Sequence, residues 1–316
     1  MPVPPASPAA EPAAPVPAGV SAMFRGLSAF PITPADAAGR IDLAGLLGLV
    51  RRLDAAGVDS VGLLGSTGTY AYLSRAERRR AVEAVSAALC RRVPLVVGIG
   101  ALRTDEVLDL ARDAEAAGAD GLLLAPVSYT PLTEEEVFQH FAAVAAATPL
   151  PLCIYNNPAT THFTVSDALV ARLAALPGVA AVKNPAPPGA EARARHAALR
   201  ATVPASFQIG YSGDWTAPAA VLAGGDAWYS VVAGLLPAPA LRLLRAAEAG
   251  NEAEVARQDA RFGPLWQLFR ELGSLRVVYA AANLLDLTQA QPPRPILPLG
   301  EPDRRRVADA LRPLES

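Results

Sequence analysis

Short apolar, β-branched runs alternate along this chain with longer segments of helical period. The runs lie at 27–32, 59–64, 94–98, 121–125, 150–155, 179–183, 206–210 and 227–232, and each reads as a strand. Helical patterns follow them at 42–56, 75–89, 104–117, 134–147, 166–175, 189–202, 214–223 and 238–248. One phrase recurs at the joints: AAGVDSVGLL (55–64), AAGADGLLLA (116–125) and AGGDAWYSVV (223–232). Each closes a helix on glycine, turns through aspartate and enters a strand. That is the αβ joint of a repeated βα unit, with glycine as the left-handed cap. SRAE (74–77) and TEEE (133–136) read as capping boxes, and TDE (104–106) as a third acidic helix start.

Eight βα units over about 230 residues predict a (β/α)8 TIM barrel. A doubly wound sheet is the competing arrangement, but GIGALRT (98–104) lacks the G-x-G-x-x-G spacing of a dinucleotide fold. Residues 251–286 continue as amphipathic helix, QPPRPILP breaks the pattern, and 302–313 reads as a last helix. The predicted organisation is a Pro/Ala-rich disordered tail (1–20), a barrel (21–250) and a C-terminal helical appendage (251–316).

In such a barrel, chemistry gathers at the C-terminal ends of the strands. Strand 2 ends in GSTGTY, strand 4 is followed by PVSYTP, strand 5 ends at Tyr155, strand 6 at Lys183, and strand 7 leads into GYSGD. Lys183 stands out because the 28 basic side chains are otherwise all arginine. A lysine at a strand end is commonly a solvated loop residue, but this one follows an apolar run. An amine drawn into an apolar pocket becomes nucleophilic and attacks a ketone to form an imine. A phenol such as Tyr155, on the neighbouring strand, can shuttle the protons. Backbone N–H groups and hydroxyls of GSTG can hold a carboxylate. Lysine, phenol and anion cradle together point to a Schiff-base enzyme acting on a 2-oxo acid.

Composition removes other classes. The net charge is −2 and the pI about 6.0, so a nucleic-acid surface is not expected. No apolar stretch suits a membrane span. Cys90 and Cys153 are far apart and read as core filler in a reduced cytoplasm. The three histidines are scattered, so a metal-dependent aldolase is not expected.

These motifs resemble the dihydrodipicolinate synthase/N-acetylneuraminate lyase family of class I aldolases. GLSAFPITP (26–34), GSTGTYAYLS (65–74), YNNP (155–158), AVKN (181–184), SGD (212–214) and GGDAWYSV (224–231) carry the resemblance. It implies that Lys183 forms the imine, that Tyr155 transfers protons, and that Ser66 and Thr67, with Gly68, hold the carboxylate of pyruvate or a pyruvyl unit. It implies that Tyr129, after strand 4, reaches a neighbouring subunit's site. It also implies a homo-oligomer, tetramer or dimer, and no metal or organic cofactor. Two departures bear on substrate. Thr69 replaces the usual glutamate of the strand-2 signature. Thr160 replaces the arginine that the synthases use for the carboxylate of aspartate semialdehyde. Trp215, Trp228 and Tyr229 are expected near the mouth, favouring a bulkier or less polar second substrate. The expected activity is a lyase or aldolase. A 2-keto-3-deoxy sugar acid dehydratase, a lysine-pathway synthase and a non-catalytic binding barrel are the alternatives.

Overall fold

A computed structural model describes residues 23–314; the tail expected at 1–20 lies outside the described residues. Eight parallel strands close into a barrel in chain order, each paired with its neighbours and β8 with β1. They are β1 (Gly26–Ala29), β2 (Ser60–Leu63), β3 (Leu95–Gly98), β4 (Gly121–Leu124), β5 (Leu152–Tyr155), β6 (Val179–Pro185), β7 (Gln208–Ser212) and β8 (Ala227–Ser230). The outer helices are α1 (Leu43–Ala56), α2 (Arg75–Leu89), α3 (Thr104–Ala116), α4 (Glu134–Ala147), the short α5 (Pro158–Thr161), α6 (Asp167–Ala174), α7 (Gly189–Arg200), α8 (Ala217–Leu222) and α9 (Pro237–Glu248). The C-terminal helices are α10 (Glu252–Leu268), α11 (Ser274–Leu284) and α12 (Glu301–Leu311).

The recurring joint has a physical basis in both of its fixed residues. Gly57, Gly118 and Gly224 all take a left-handed backbone, with φ of 75°, 89° and 114°. The aspartate two residues on accepts a strand N–H. Asp59 takes Leu27 N at 2.7 Å, Asp120 takes Leu95 N at 2.9 Å, and Asp226 takes Ile209 N at 2.9 Å. Each repeat thus ties the start of a neighbouring strand, on the face opposite the site.

Strand parity divides the core. One buried layer lies between sheet and helices and includes Leu152, Ile154, Val182 and Trp228. A second fills the barrel and includes Phe30, Cys153, Tyr155, Ala181 and Tyr229. Two large rings fit inside only because their neighbours lack side chains. A Cβ on Gly62 would overlap the Phe30 ring, and one on Gly210 would overlap Tyr229.

Several local expectations are corrected. Thr133 and Glu136 do form a complete capping box. At α2, Ser74 accepts from Glu77 N, but the Glu77 carboxylate turns away to accept Ile41 N at 2.6 Å, so that box is half made. The acidic start expected at 104–106 is present, with Asp105 and Glu106 in the first turn of α3, although the preceding Arg103 makes no side-chain cap. Cys90 is not core filler; it is an exposed left-handed cap of α2, whereas Cys153 is buried. The helix expected over 251–286 is interrupted by a π-helical turn at Phe269–Gly273.

Candidate active site

The register of β5 and β6 sets Tyr155 directly beside Lys183. Both point into the barrel, at its C-terminal end. Lys183 is only 3% exposed, and Tyr155 is buried with it. The Lys183 Nζ lies 4.1 Å from the centroid of the Phe30 ring, 4.1 Å from that of Tyr155 and 5.8 Å from that of Tyr229. An apolar run therefore delivers the ammonium into aromatic surroundings, as strand periodicity and the adjacent small residues dictate.

The two asparagines of YNNP do different work. Asn157 Nδ2 donates to the Tyr155 hydroxyl at 2.9 Å and to Ser66 Oγ at 3.3 Å. The Tyr155 hydroxyl donates to the same Ser66 Oγ at 3.3 Å. Phenol, hydroxyl and amide thus form one triangle. Asn156 turns the other way. Its Nδ2 donates to Asn184 Oδ1 at 3.0 Å and to Val165 O at 3.1 Å, and its Oδ1 accepts Val165 N at 3.1 Å. Asn156 N donates to Lys183 O at 3.0 Å. This buried lattice fixes the backbones that carry Tyr155 and Lys183. Neither asparagine was singled out by sequence reasoning, although both belong to motifs it quoted.

The GSTG loop is bracketed by two non-glycine residues in the left-handed region, Leu64 at φ 57° and Thr69 at φ 53°. Such backbone is uncommon for residues with a Cβ. Ser66 and Thr67 line the cavity; Gly68 does not, because it packs against the Leu64 backbone. Thr69 also lines the cavity, and nearby the Tyr279 hydroxyl of α11 donates to Thr33 O at 3.5 Å.

The cavity has a volume of about 750 Å³. It contains Lys183, Tyr155, Ser66, Thr67 and Thr160. Thr160 is exposed, and its hydroxyl donates to Asn157 O at 3.3 Å. Trp215 stands at the rim. Trp228 does not: it faces the helices, fully buried, and its Nε1 donates to Asp214 at 2.9 Å. Tyr229 lies inside the barrel below Lys183, its hydroxyl 3.5 Å from Cys153 Sγ, and burial pushes that phenol well up. Tyr129 is 96% exposed and outside the cavity. Strand alternation explains the Trp228/Tyr229 split: adjacent residues face opposite sides.

Tyr70, the last residue of the GSTGTY segment, was given no role by sequence reasoning; its ring lines the cavity over the buried Arg78 guanidinium, 5.2 Å away. Burial raises the Tyr70 phenol to about 12 and lowers Arg78 to about 10. Asp214 accepts Val232 N at 2.7 Å as well as the indole, and burial holds its carboxyl up. The outer wall is apolar and partly C-terminal, with Phe269, Leu275 and Ile296. A division at residue 250 therefore cuts through the site. Among the described lining residues no arginine appears, and Lys183 is the one cation.

The family model for the dihydrodipicolinate synthetase family matches residues 23–314. The chain belongs to that family. Its reaction class is that of the family, a lyase of the class I aldolase type, on a TIM barrel. The chain is 63% identical to a dihydrodipicolinate synthase from Agrobacterium tumefaciens of known structure, with a TM-score of 0.92 over 93% of this chain and 99% of that one. It is 33% identical over 282 residues to a 4-hydroxy-tetrahydrodipicolinate synthase from Methylococcus capsulatus, covering 89% of this chain and 95% of the relative. A relative of the same name from Acidiphilium cryptum is 33% identical over 290 residues, covering 92% and 98%. Among the described residues no helix is long and apolar enough to cross a membrane, and no group of three or more His, Cys, Asp or Glu is placed to hold a metal ion.

Proposed function

We propose that this family member is a Schiff-base lyase or aldolase acting on pyruvate or a related 2-oxo acid. The observation that carries this reading is the chain's one lysine, buried beside Tyr155 at the barrel mouth. The Lys183 amine attacks the ketone carbon. Tyr155, linked to Ser66 and Asn157, gives a proton to the departing hydroxyl, and water leaves. The imine then withdraws electrons from the adjacent carbon, which allows a carbon–carbon bond there to form or break. Ser66 and Thr67 hold the carboxylate. Tyr129, exposed on its own chain, belongs to an interface between copies of a homo-oligomer. The free thiols suit a cytoplasmic enzyme.

The second substrate proposed is one other than aspartate semialdehyde. Among the described lining residues a far-end carboxylate would meet Thr160 and no guanidinium, so it would lack a bidentate, charge-assisted partner there. The apolar wall supports an acceptor uncharged at its far end. Borohydride with pyruvate should add a stable mass at Lys183. A panel of aldehydes assayed with pyruvate, with retro-aldol assays on 4-hydroxy-2-oxo acids, tests the rest. Aspartate semialdehyde as the clear best acceptor would restore the synthase assignment. An adduct without turnover on any member would point to a dehydratase or a binding role.

A further inference from the structure

The Lys183 ammonium is a buried cation that pairs with no carboxylate within 4.0 Å among the described residues. What surrounds it is aromatic. Phe30 approaches from β1, Tyr155 from β5 and Tyr229 from β8, with the centroid distances given above. The titratable groups nearby are the Tyr155 and Tyr229 phenols and the Cys153 thiol, which feels the Lys183 charge; Tyr70 and Asp214 face the same cavity from the segments that follow β2 and β7. Phe30 is 1% exposed and held firmly. Its N–H donates to Ser230 O at 2.9 Å, and its ring meets Tyr229 edge-on at 6.2 Å. Gly62 and Gly65 leave the space that the ring occupies. Phe30 belongs to neither the proton-transfer triangle nor the anion cradle, yet it is as close to the reacting nitrogen as Tyr155.

We propose that Phe30, with the faces of Tyr155 and Tyr229, forms an aromatic cage that holds the Lys183 imine in its protonated, cationic form. The inference rests on the Schiff-base reading of the site. When an ammonium and a ketone condense, one water leaves and the nitrogen keeps a single proton and the positive charge. Charge is conserved in that step, so the cage acts on the next choice: whether the iminium keeps its proton. Only the iminium is a strong electron sink. An aromatic face attracts a cation through its quadrupole, and a desolvated site strengthens the attraction. The neutral imine gains nothing comparable. The cage therefore widens the pH range over which the adduct stays reactive without placing a carboxylate there, which would repel the substrate's own.

Ring electronics separate this role from packing. Fluorination draws electron density from the ring and changes its shape little. Position 30 is replaced by 4-fluoro-, 3,5-difluoro- and 3,4,5-trifluorophenylalanine, and separately by leucine (Phe30→Leu). Each protein is incubated with pyruvate and cyanoborohydride, which reduces the iminium and spares the neutral imine. Intact mass gives the trapping rate at Lys183 from pH 6 to pH 10, and a melting curve reports folding. All variants should trap like the wild type at the acidic end. The pH of half-maximal trapping should then fall stepwise with fluorine number. On the alkaline side, the trifluoro and Phe30→Leu proteins should trap on the order of tenfold more slowly. Superimposable pH profiles in variants that melt like the wild type would overturn the cage. Should the fluorinated rings not fit against Gly62, Phe30→Leu decides alone by the same profile. Absence of trapping in the wild type at every pH would instead remove the Schiff-base reading itself.

Discussion

Replacing Tyr155 by phenylalanine deletes one oxygen and leaves the ring in place. That oxygen accepts from Asn157 at 2.9 Å and donates to Ser66 at 3.3 Å. The structural loss is small, because Asn157 keeps its other contact to Ser66 at 3.3 Å and the cavity admits water to the vacated site. One net hydrogen bond is worth about 1 kcal/mol. For a chain of this size that lowers the melting temperature by about 2 °C. The catalytic loss should be larger. A positioned acid–base group contributes about 10² to 10⁴ in rate, or about 2.7 to 5.5 kcal/mol of barrier. Retro-aldol turnover of the best 4-hydroxy-2-oxo acid, measured beside a melting curve, compares the two directly. Tyr155→Phe should lose at least about a hundredfold in kcat and still form the borohydride adduct on long incubation. Near-normal kcat with a drop of about 10 °C or more, far beyond one hydrogen bond, would show that the phenol serves packing and would refute its assignment to proton transfer.

Three further outcomes are expected. Lys183→Arg should keep the fold and the positive charge yet give no pyruvate adduct by mass spectrometry, because a guanidinium stays protonated. Thr160→Arg should raise kcat/KM for a carboxylate-bearing acceptor by about tenfold, the worth of a charge-assisted contact, and leave an apolar acceptor unimproved; equal effects on both would argue against a missing guanidinium. Burial holds His140 and His196 below the ordinary histidine value of 6.5. As pH falls through 6.5 the unfolded chain takes up these protons first, so stability present at neutral pH should decline. His140→Gln and His196→Gln should each flatten that decline in urea midpoints measured between pH 7.5 and 5.

The barrel was legible because its signals are local and repeated. A glycine that must be left-handed, an aspartate that must cap a strand N–H and a short apolar run recur at Gly57, Gly118 and Gly224. Helix limits followed from caps; the spans predicted at 75–89 and 134–147 coincide with α2 and α4. Placement of Tyr155 at the end of β5 was equally legible, since it needs only the end of an apolar run; Lys183 also closes such a run, but β6 continues past it to Pro185. What one strand faces across the barrel was not. Phe30 and Lys183 are 153 positions apart in sequence, and their approach depends on how eight strands tilt and close. The misplacement of Trp228 has the same origin: alternation says that Trp228 and Tyr229 face opposite sides, but only closure says which side is inside. Tyr70 was quoted at the end of GSTGTY but given no role, because it rides on a single 3-10 turn, Tyr70–Tyr72, too short to carry a periodicity.

The same division explains how the proposed change of acceptor is compatible with an unchanged reaction class. The groups proposed for imine chemistry stand on strands, or one to three residues past them: Lys183 on β6, Tyr155 and Asn157 at β5, Ser66 after β2. Strand register and the Asn156–Asn184 lattice hold them, so they shift only if the barrel does. The groups that meet the far end of a substrate stand elsewhere. Thr160 is on a four-residue helix, Trp215 on a loop, and Phe269 and Leu275 flank or join a π-helical turn in the C-terminal helices. A change there leaves the register of β5 and β6 untouched. A threonine rather than an arginine at position 160 can thus alter which acceptor is held without disturbing the imine chemistry proposed for Lys183. Relatives of the same fold and at least 30% identity are for that reason stronger evidence about Lys183 than about the aldehyde.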